Sequence, residues 1–560
     1  MIAQYRYDGR SAIVNELDRG RVAFATNQLR EPAFFRGTLG HPVLFREALA
    51  ALYDVVVSDF KYRPRDREAF RAWLESQDRK FLATYGLKAE AHREKAEALE
   101  ARLGELDAAR RERLGPFHAA RRAYFDYVFK NQYELSFILD PVVTIHPDEV
   151  SFEAFSRDES AYARLAAKFE LFDQVDEFTC GTTNVDFSTR LHGELERMRS
   201  YRTTRFDVDP TGFGVITGAG PGHFEKKVDL PESWIQGFLQ VHSVTTLGLT
   251  RFRMTGIDLF NIVQFLKRHK AKSSPRALRY ELDPGRPTVA VLEPWGHAIE
   301  LSPGSSYEGP KALSVRTWGR DRLGTLARLI PACQSVDVYL AGLGLPSVYV
   351  LDLGPLIFTL ALSGWTDNDW TGGAARFELL SRRLEITPEE LTRVYESIRA
   401  MRSGTAGAVA ERAGLGLETA RSGLSALCQH GRAMFDLAGE VYRHRDLFPE
   451  PFVAAEVAKS TPPATGKEAD ALAIFDRGDV RVIARRPVST GFKLSGTAKG
   501  GDGRRVRPLL HVDHEGKIVE GSCTCPEYKQ RQWTHGPCAH VLALRQAHMS
   551  RLKQEDVPLN

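Results

Sequence analysis

Four residues near the C-terminus have the types and the spacing of a metal site. The chain reads Cys523-x-Cys525 and then, after twelve residues, Cys538-x-His540. Three thiolates and one imidazole are a ligand set of tetrahedral structural zinc sites. In extended chain the side chains of Cys523 and Cys525 point to the same face, so both thiols can reach one ion. The spacing therefore predicts one bound Zn²⁺.

The same ligand set predicts that this zinc is structural. Four protein ligands fill a tetrahedral shell and leave no position for a reactive water. No glutamate stands between two histidines as the general base of a His-Glu-x-x-His zinc helix. The ion is therefore expected to hold a small β-sheet and one helix together within residues 473–548.

The four residues and their neighbours resemble the SWIM zinc finger, whose pattern is Cys-x-Cys, a variable gap and Cys-x-His. The flanking sequences here are C-T-C-P and H-G-P-C-A-H-V-L-A-L. The resemblance implies that the zinc ligands are Cys523, Cys525, Cys538 and His540.

Segments outside the finger resemble long bacterial SWIM zinc-finger proteins, which join a helical region and an α/β region to a winged helix and a C-terminal finger. The segments are FFRGTLGHP (34–42), VVVSDFKYRPRD (55–66), HPDEVSFEAFSRDESAY (146–162), RSYRTTRFDVDP (199–210), GLPSVYV (344–350) and LSGWTDNDW (362–370). Members of this group look like accessory proteins of MoxR-type AAA+ ATPases and von Willebrand factor A domain proteins. The resemblance thus implies an adaptor that binds such protein partners.

The composition is that of an ordinary globular chain in a reducing compartment. Of the 560 residues, 43% are hydrophobic and 26% are charged, and the net charge is +4. No apolar run approaches the ~18 residues of a membrane span, and the N-terminus shows no secretory signal. Cys180, Cys333 and Cys428 are scattered singly, unlike a disulfide framework. We therefore expect a cytoplasmic protein.

The predicted fold class is multidomain α+β. Residues 1–135 are expected to be a helical region with a short coiled coil, because Ala96, Leu99, Leu103 and Leu106 recur at three and four residues. This seam suits an antiparallel helical hairpin or a partner-binding coil. Residues 136–375 are expected to be a mixed α/β domain, since β-rich segments alternate with helical ones.

The remaining chain is predicted to hold two further domains. Residues 376–450 have the pattern of a winged helix-turn-helix: three helical segments, the first opened by a Thr387 to Glu390 capping box, precede a β-hairpin. Residues 451–472 are expected to be a linker, because they contain the sequence STPPATG. Residues 473–550 are expected to form the zinc-bound sheet plus helix, with residues 551–560 as a tail.

Positive charge is concentrated in the zinc module. Residues 476–560 hold fifteen Lys or Arg and nine Asp or Glu, whereas residues 376–450 hold eleven of each. A basic surface with interleaved aromatic rings suits nucleic acid, but a solvated surface or a protein interface is the alternative. Candidate contacts in the module are Lys499, Arg504, Arg505, Arg507, Tyr528, Lys529, Arg531 and Trp533. In the winged helix they are Arg421, Arg443 and Arg445.

Evidence for catalysis is weak. The carboxylates Asp148, Glu149, Glu153, Asp158 and Glu159, and the pair Asp367 and Asp369, could in principle bind a cation or transfer protons. Helix capping, surface turns and packing explain such residues equally well. The sequence shows no nucleophile elbow and no complete P-loop.

These patterns favour a non-enzymatic, zinc-binding adaptor or scaffold that acts through protein contacts. A DNA- or RNA-binding regulator that uses the basic finger and the winged helix is the alternative. A central domain with an unrecognised activity is a third hypothesis.

Overall fold

The computed structural model describes residues 12–15, 19–25, 33–60, 141–184, 195, 198–201, 203–209, 232–245, 249–272, 275–342, 345–364, 370, 386–448, 451–459, 466–488, 491–499, 503–512, 518–531 and 537–555. Within these ranges the chain forms ten α-helices and 25 strands. None of these helices is long and apolar enough to cross a bilayer. The predicted coiled-coil seam lies outside the described residues.

Most of the helical region expected over residues 1–135 lies outside the described residues. In the described part, three strands that were not expected from the sequence belong to a five-stranded sheet. Its strands are β1 (Ala12–Asn15), β2 (Arg19–Ala25), β3 (Phe34–Leu39), β7 (Phe172–Thr179) and β9 (Thr203–Asp209), in the order β1-β2-β9-β3-β7. β2 and β9 are parallel and the other pairs antiparallel. β3 finds both partners far along the chain, so its local sequence pattern could not reveal the pairing.

The central structure is an eight-stranded antiparallel sheet. Its strands are β4 (Val142–Ile145), β5 (Glu149–Phe155), β6 (Ala161–Lys168), β8 (Gly181–Asn184), β10 (Thr250–Met254), β15 (Ser335–Leu340), β16 (Ser347–Asp352) and β17 (Leu356–Leu362), in the order β10-β15-β16-β17-β6-β5-β4-β8. Two three-stranded meanders, β4-β5-β6 and β15-β16-β17, meet where β6 pairs with β17. The β-rich segments expected within residues 136–375 include β5, β15, β16 and β17.

Both faces of β5 are covered, which explains why all seven of its residues are buried. On one face Phe152 packs near Phe45 of helix α1 (Pro42–Val57), with ring centroids 6.4 Å apart. On the other face Phe155 packs at 4.9 Å from Phe238 of helix α2 (Glu232–Thr245). Since successive strand residues point to opposite faces, Glu149 and Glu153 share the buried face of Phe155.

A small four-stranded sheet follows helix α3 (Gly256–Arg268) in the chain. Its strands are β11 (Leu278–Leu282), β12 (Val289–Leu292), β13 (His297–Glu300) and β14 (Leu313–Thr317), in the order β13-β12-β11-β14, followed by 3₁₀ helices at Arg320–Arg328 and Ile330–Ala332. Asp258 closes a capping box with Thr255 at the start of α3 and also accepts hydrogen bonds from Ser302 and Ser305. The carboxylate thus fixes the start of α3 to the segment that follows β13.

Residues 386–448 form three helices and a three-stranded sheet around their own core. The elements are α4 (Pro388–Met401), β18 (Ser403–Gly404), α5 (Ala406–Ala413), α6 (Leu417–Gln429), β19 (Ala433–Asp436) and β20 (Val441–His444), with the sheet order β18-β20-β19. The predicted capping box is present: Thr387 accepts from the Glu390 amide, and the Glu390 carboxylate accepts from the Thr387 amide. The three predicted helices and the predicted hairpin are therefore confirmed as elements.

The segment expected to be a linker contains two helices, α7 (Ala454–Lys459) and α8 (Gly466–Asp476). α7 packs on α4, and just before it Phe452 stacks on Tyr395 with ring centroids 4.0 Å apart. In α8, Ala471 and Ile474 are buried. Each helix is stabilised by burying apolar side chains. The turn-rich sequence STPPATG therefore marks the connection between the two helices and not a linker over the whole segment.

Buried ion pairs join the β19-β20 hairpin to the central sheet. Arg445 is completely buried, and its Nη1 donates to both carboxylate oxygens of Glu153 on β5 at 2.7 Å. The Arg445 guanidinium also lies 5.0 Å from the centre of the Phe238 ring. Tyr162 completes the environment of Glu153 by donating its hydroxyl proton at 2.6 Å.

A second set of ion pairs lies along the same interface. Arg443 donates to both carboxylate oxygens of Asp148, at 2.7 and 3.0 Å, and to Asp436 at 2.9 Å. Arg164 on β6 pairs with Glu149 and Asp436. Asp148 is 56% exposed, whereas Arg443, Arg164, Glu149 and Asp436 are buried. Because unpaired buried charges are very costly, each of these four buried groups depends on its ion-pair partners.

We predict that Arg445→Ala lowers the free energy of unfolding by about 3–5 kcal/mol, because it leaves the Glu153 carboxylate buried without its ion pair. Denaturant unfolding of the full chain measures this change. Arg421→Ala is the control, since Arg421 pairs with Glu418 at the surface and its loss should cost about 0–1 kcal/mol. Equal effects of the two substitutions would contradict the account.

We also predict that stability falls as pH drops from about 6.5 to 5. Burial, reinforced by nearby arginines, lowers the pKa of His146 and His242 well below the usual value. Below pH ~6.5 the unfolded chain therefore binds protons that the folded chain does not, and each histidine costs up to about 1.4 kcal/mol per pH unit. Unfolding of His242→Leu at several pH values should show a shallower pH dependence; parallel curves would contradict it.

Candidate metal centre

The four predicted ligands belong to a module in which a helix packs on a five-stranded antiparallel sheet. The elements are β21 (Val480–Val488), β22 (Gly491–Lys499), β23 (Arg505–Val506), β24 (Pro508–Val512), β25 (Ile518–Cys523), α9 (Pro526–Arg531) and α10 (Ala539–Glu555). The order is β21-β22-β24-β25, with β23 paired to β22. Helix α10 packs on β21, β22, β24 and β25, and α8 packs on α10. The strands and the helix predicted for this module are confirmed.

Each ligand stands at the end or the start of an element. Cys523 is the last residue of β25, and Cys525 directly precedes α9, which begins at Pro526. Cys538 directly precedes α10, and its carbonyl oxygen accepts hydrogen bonds from the amides of Val541 and Leu542. His540 is therefore in the first turn of α10. The end of a strand, a turn and the start of a helix thus bring the four ligands together.

The donor atoms fit a single zinc ion. The three Sγ atoms and a ring nitrogen of His540 all lie within 4.8 Å of one another. A tetrahedral zinc with Zn–S bonds of about 2.3 Å holds its sulfur ligands ~3.8 Å apart, so one ion can reach all four. All three cysteines are buried and form no disulfide. The Cys525 Sγ also accepts a hydrogen bond from the Tyr528 amide at 3.3 Å.

The imidazole of His540 gives independent support. Both ring nitrogens are buried, and among the described residues outside the ligand set neither has a hydrogen-bond partner. Buried polar atoms are nearly always satisfied, and an unsatisfied one calls for a further partner such as an ion. A zinc ion between His540 and the three thiolates supplies that partner. The site thus holds one structural Zn²⁺, which would be bound by Cys523, Cys525, Cys538 and His540.

The protein environment disfavours the metal-free thiolates. A hydrogen bond with Cys523, together with burial, raises the pKa of the Cys538 thiol, and burial raises the pKa of Cys525. Without metal these thiols therefore keep their protons at neutral pH. Zinc must displace the protons, so its binding releases protons and weakens as pH falls.

Only some of the candidate contact residues of the module are exposed and able to contact a partner. Lys499, Arg504, Arg505, Arg507 and Lys529 are exposed. Tyr528 is half-buried, and its hydroxyl donates to the carbonyl oxygen of Gly521 at 2.9 Å, so it is a packed residue of the finger. Trp533 and the side chain of Arg531 lie outside the described residues.

The candidate contacts outside the module form no basic surface. Arg443 and Arg445 are buried in ion pairs with the central sheet, which removes the expected cations of the hairpin from a nucleic-acid surface. Arg421 pairs with Glu418 one turn away. Sequence reasoning missed the buried network, although charged residues within the otherwise apolar strands β5 and β6 were a signal for it.

Four of the carboxylates considered for catalysis are engaged in structural contacts. Asp148, Glu149 and Glu153 pair with the arginines of the interface. Asp158 pairs with Arg322 at 3.1 Å and accepts hydrogen bonds from the Ser156 and Ser160 hydroxyls. Asp367 and Asp369 lie outside the described residues.

Comparison with known proteins supports the identity of the finger. Residues 506–547, which include all four ligands, match the family model described as SWIM zinc finger. No curated protein matches the chain. A crystal structure of proliferating cellular nuclear antigen from Entamoeba histolytica is similar at 11% identity, covering 40% of this chain and 89% of that chain, with a TM-score of 0.30. A TM-score this low does not establish a shared fold.

We predict that Cys538→Ser abolishes stoichiometric zinc binding by the full chain, because it removes one of three thiolates and leaves the others without a closed shell. Metal analysis after dialysis measures the zinc content. Limited proteolysis should then cleave within residues 473–548 and leave the central sheet intact.

Cys333→Ser is the matched control, since Cys333 lies outside the finger and its thiol donates to the Ser335 carbonyl. This variant should keep one zinc and the original cleavage pattern. Retention of zinc by Cys538→Ser, or uniform protease resistance of both variants, would contradict the assignment.

Proposed function

We propose that this chain is a non-enzymatic adaptor or scaffold whose C-terminal finger is ordered by zinc and which acts through protein contacts. The observation that carries the proposal is that the metal ligands and four carboxylates of the chain are engaged in structural contacts. The four metal ligands surround one point and leave no open coordination position. The carboxylates Asp148, Glu149, Glu153 and Asp158 each pair with an arginine. Groups engaged in this way stabilise a fold and are not available to a substrate.

The three helices and hairpin of residues 386–448 are, in this proposal, a winged helix that serves as a docking element. Its order of elements supports the assignment. The hairpin uses Arg443 and Arg445 to bind the central sheet within the same chain. Together with a net charge of zero over 376–450, this arrangement favours a scaffold over a reader of DNA.

The proposed partner is a MoxR-type AAA+ ATPase, with a von Willebrand factor A domain protein as a further component. This choice rests on the resemblance of the segments between residues 34 and 370 to accessory proteins of such ATPases. Cytoplasmic localisation is part of the same proposal, because these ATPases and a reduced Cys₃His finger share that compartment.

Nucleic-acid binding by the finger is the second candidate, and a specific feature favours it. The sheet places Lys499 directly opposite Arg505, and Arg486 directly opposite Lys493. Like charges opposite each other across strands are destabilising. A bound phosphate backbone would relieve both repulsions.

We predict that affinity purification of the full chain from its own cells, after mild crosslinking, enriches an AAA+ ATPase. The Cys538→Ser variant should retain less of it if the finger contributes to docking, whereas Cys333→Ser should retain as much as the unmodified chain. Mass spectrometry of the eluates measures the enrichment.

A nuclease-treated sample separates the two candidate functions. Enrichment of the ATPase that survives nuclease treatment supports the adaptor. Absence of any AAA+ protein, combined with salt-sensitive capture of nucleic acid that Lys499→Gln and Arg505→Gln weaken, would contradict the adaptor and favour the second candidate.

A further inference from the structure

The end of α3 and the segment that follows it carry an exposed cluster of positive charge. Among the described residues between 256 and 276 the only acidic one is Asp258, which is buried at the helix start. None of the cations is in a salt bridge with another described residue. They are Lys267, Arg268, Lys270, Lys272 and Arg276, all exposed.

Helix stability explains only part of this cluster. Lys267 and Arg268 lie in the last turn of α3, where cations interact favourably with the helix dipole. Lys270, Lys272 and Arg276 lie beyond the helix end, and the dipole interaction falls off within one turn. Their mutual repulsion is therefore not offset by the fold, which suggests an anionic ligand.

A compact group of aromatic rings lies beside these cations. Phe265 of α3 is stacked between two imidazoles, with ring centroids 4.1 Å from His269 and 4.5 Å from His297. Trp295 stands edge-on to Phe265 at 5.3 Å and near His269 at 6.0 Å. Trp295 is 37% exposed although it is a large apolar side chain. The cluster thus presents aromatic surface to solvent next to unpaired cations.

The rings are held in place by polar contacts. His269 donates from Nδ1 to the Phe265 carbonyl oxygen at 3.0 Å. The guanidinium of Arg320 lies 4.9 Å from the centre of the Trp295 ring, and it is itself fixed by hydrogen bonds to the carbonyl oxygens of Ala277 and Glu293. Because these rings are ordered without a ligand, stacking on them would cost little conformational entropy.

We propose that this basic-aromatic surface, formed by Lys267, Arg268, Lys270, Lys272, Arg276, His269, Trp295 and His297, binds a single-stranded nucleic acid. The cations contact the phosphates, and exposed bases stack on Trp295 and the imidazoles. Single-strand binding surfaces combine a positive track with aromatic stacking residues in this way. This site lies on the central region and is separate from the finger, so it goes beyond the proposed adaptor function.

Two other anionic partners are less well matched. An acidic peptide would use the cations but leave the exposed rings without a planar partner. An anionic membrane could use the cations together with Ile257 and Phe260, which are exposed earlier on α3. Glu300 lies on the same strand as His297, Asp321 follows Arg320, and both are exposed, so they would repel a wide anionic plane.

The test uses the full-length protein and a fluorescein-labelled oligothymidylate longer than the ~4–16 nucleotides that such surfaces contact. Anisotropy at several salt concentrations gives the affinity and its salt dependence. The triple variant Lys267→Gln/Lys270→Gln/Lys272→Gln should bind at least about tenfold more weakly. Its log–log salt slope should be shallower by roughly 0.7 for each phosphate that the variant no longer neutralises.

A matched variant carries the same charge change in the finger: Lys499→Gln/Arg504→Gln/Arg505→Gln. It should bind the oligonucleotide as tightly as the unmodified chain. Trp295→Ala should weaken binding about fivefold or more, whereas Trp295→Phe retains a stacking ring and most of the affinity. The triple lysine variant changes exposed side chains that do not pack in the core. It therefore tests the proposal even if Trp295→Ala lowers the stability of the protein.

Several outcomes would overturn the proposal. One is an affinity of the triple lysine variant equal to that of the unmodified chain, and another is weakened binding by the finger variant alone. A third is normal binding by Trp295→Ala together with weakened binding by the lysine variant, which would show that the cations bind the strand without base stacking. Binding to phosphatidylserine vesicles or to a polyglutamate peptide without binding to the oligonucleotide would point to the other partner classes.

Discussion

The buried contact between Arg445 and Glu153 is the constraint on which the arrangement of this chain depends. Both side chains are removed from water, so neither charge is tolerable without the other. Arg443 and Arg164 extend the same requirement to Glu149 and Asp436, whose side chains are also buried. A position of the β19-β20 hairpin that left these buried groups unpaired would therefore be strongly disfavoured.

The zinc site imposes the same kind of requirement on the C-terminal module. The three thiols and the imidazole converge because β25 ends at Cys523 and α10 begins just after Cys538. Without an ion, the two buried ring nitrogens of His540 have no hydrogen-bond partner among the described residues outside the ligand set. Metal binding therefore orders the sheet and α10 together, and the exposed cations of the finger depend on it for their relative positions. The exposed surface of the finger therefore depends on the buried zinc site.

The sequence was most informative where chemistry is local. The Cys-x-Cys and Cys-x-His spacing specified the metal centre, and the capping box at Thr387 specified the start of α4. It was least informative where structure depends on distant partners. Strand β3 pairs with β7 and β9, which lie far along the chain. Arg443, predicted as a cation available to a ligand, instead pairs with Asp148 next to the central sheet. The stack of Phe265 with His269 and His297 joins the end of α3 to strand β13, and no sequence pattern indicates that these two segments are in contact.

Hydrogen exchange of the full chain, read by mass spectrometry with and without a zinc chelator, tests the central claim most directly. We predict that chelation removes the protection of β24, β25 and α10 while β5, β6 and β20 remain protected, because the ion orders the finger and the buried ion pairs hold the rest. Unchanged protection of the finger, or loss of protection throughout the chain, would contradict this prediction.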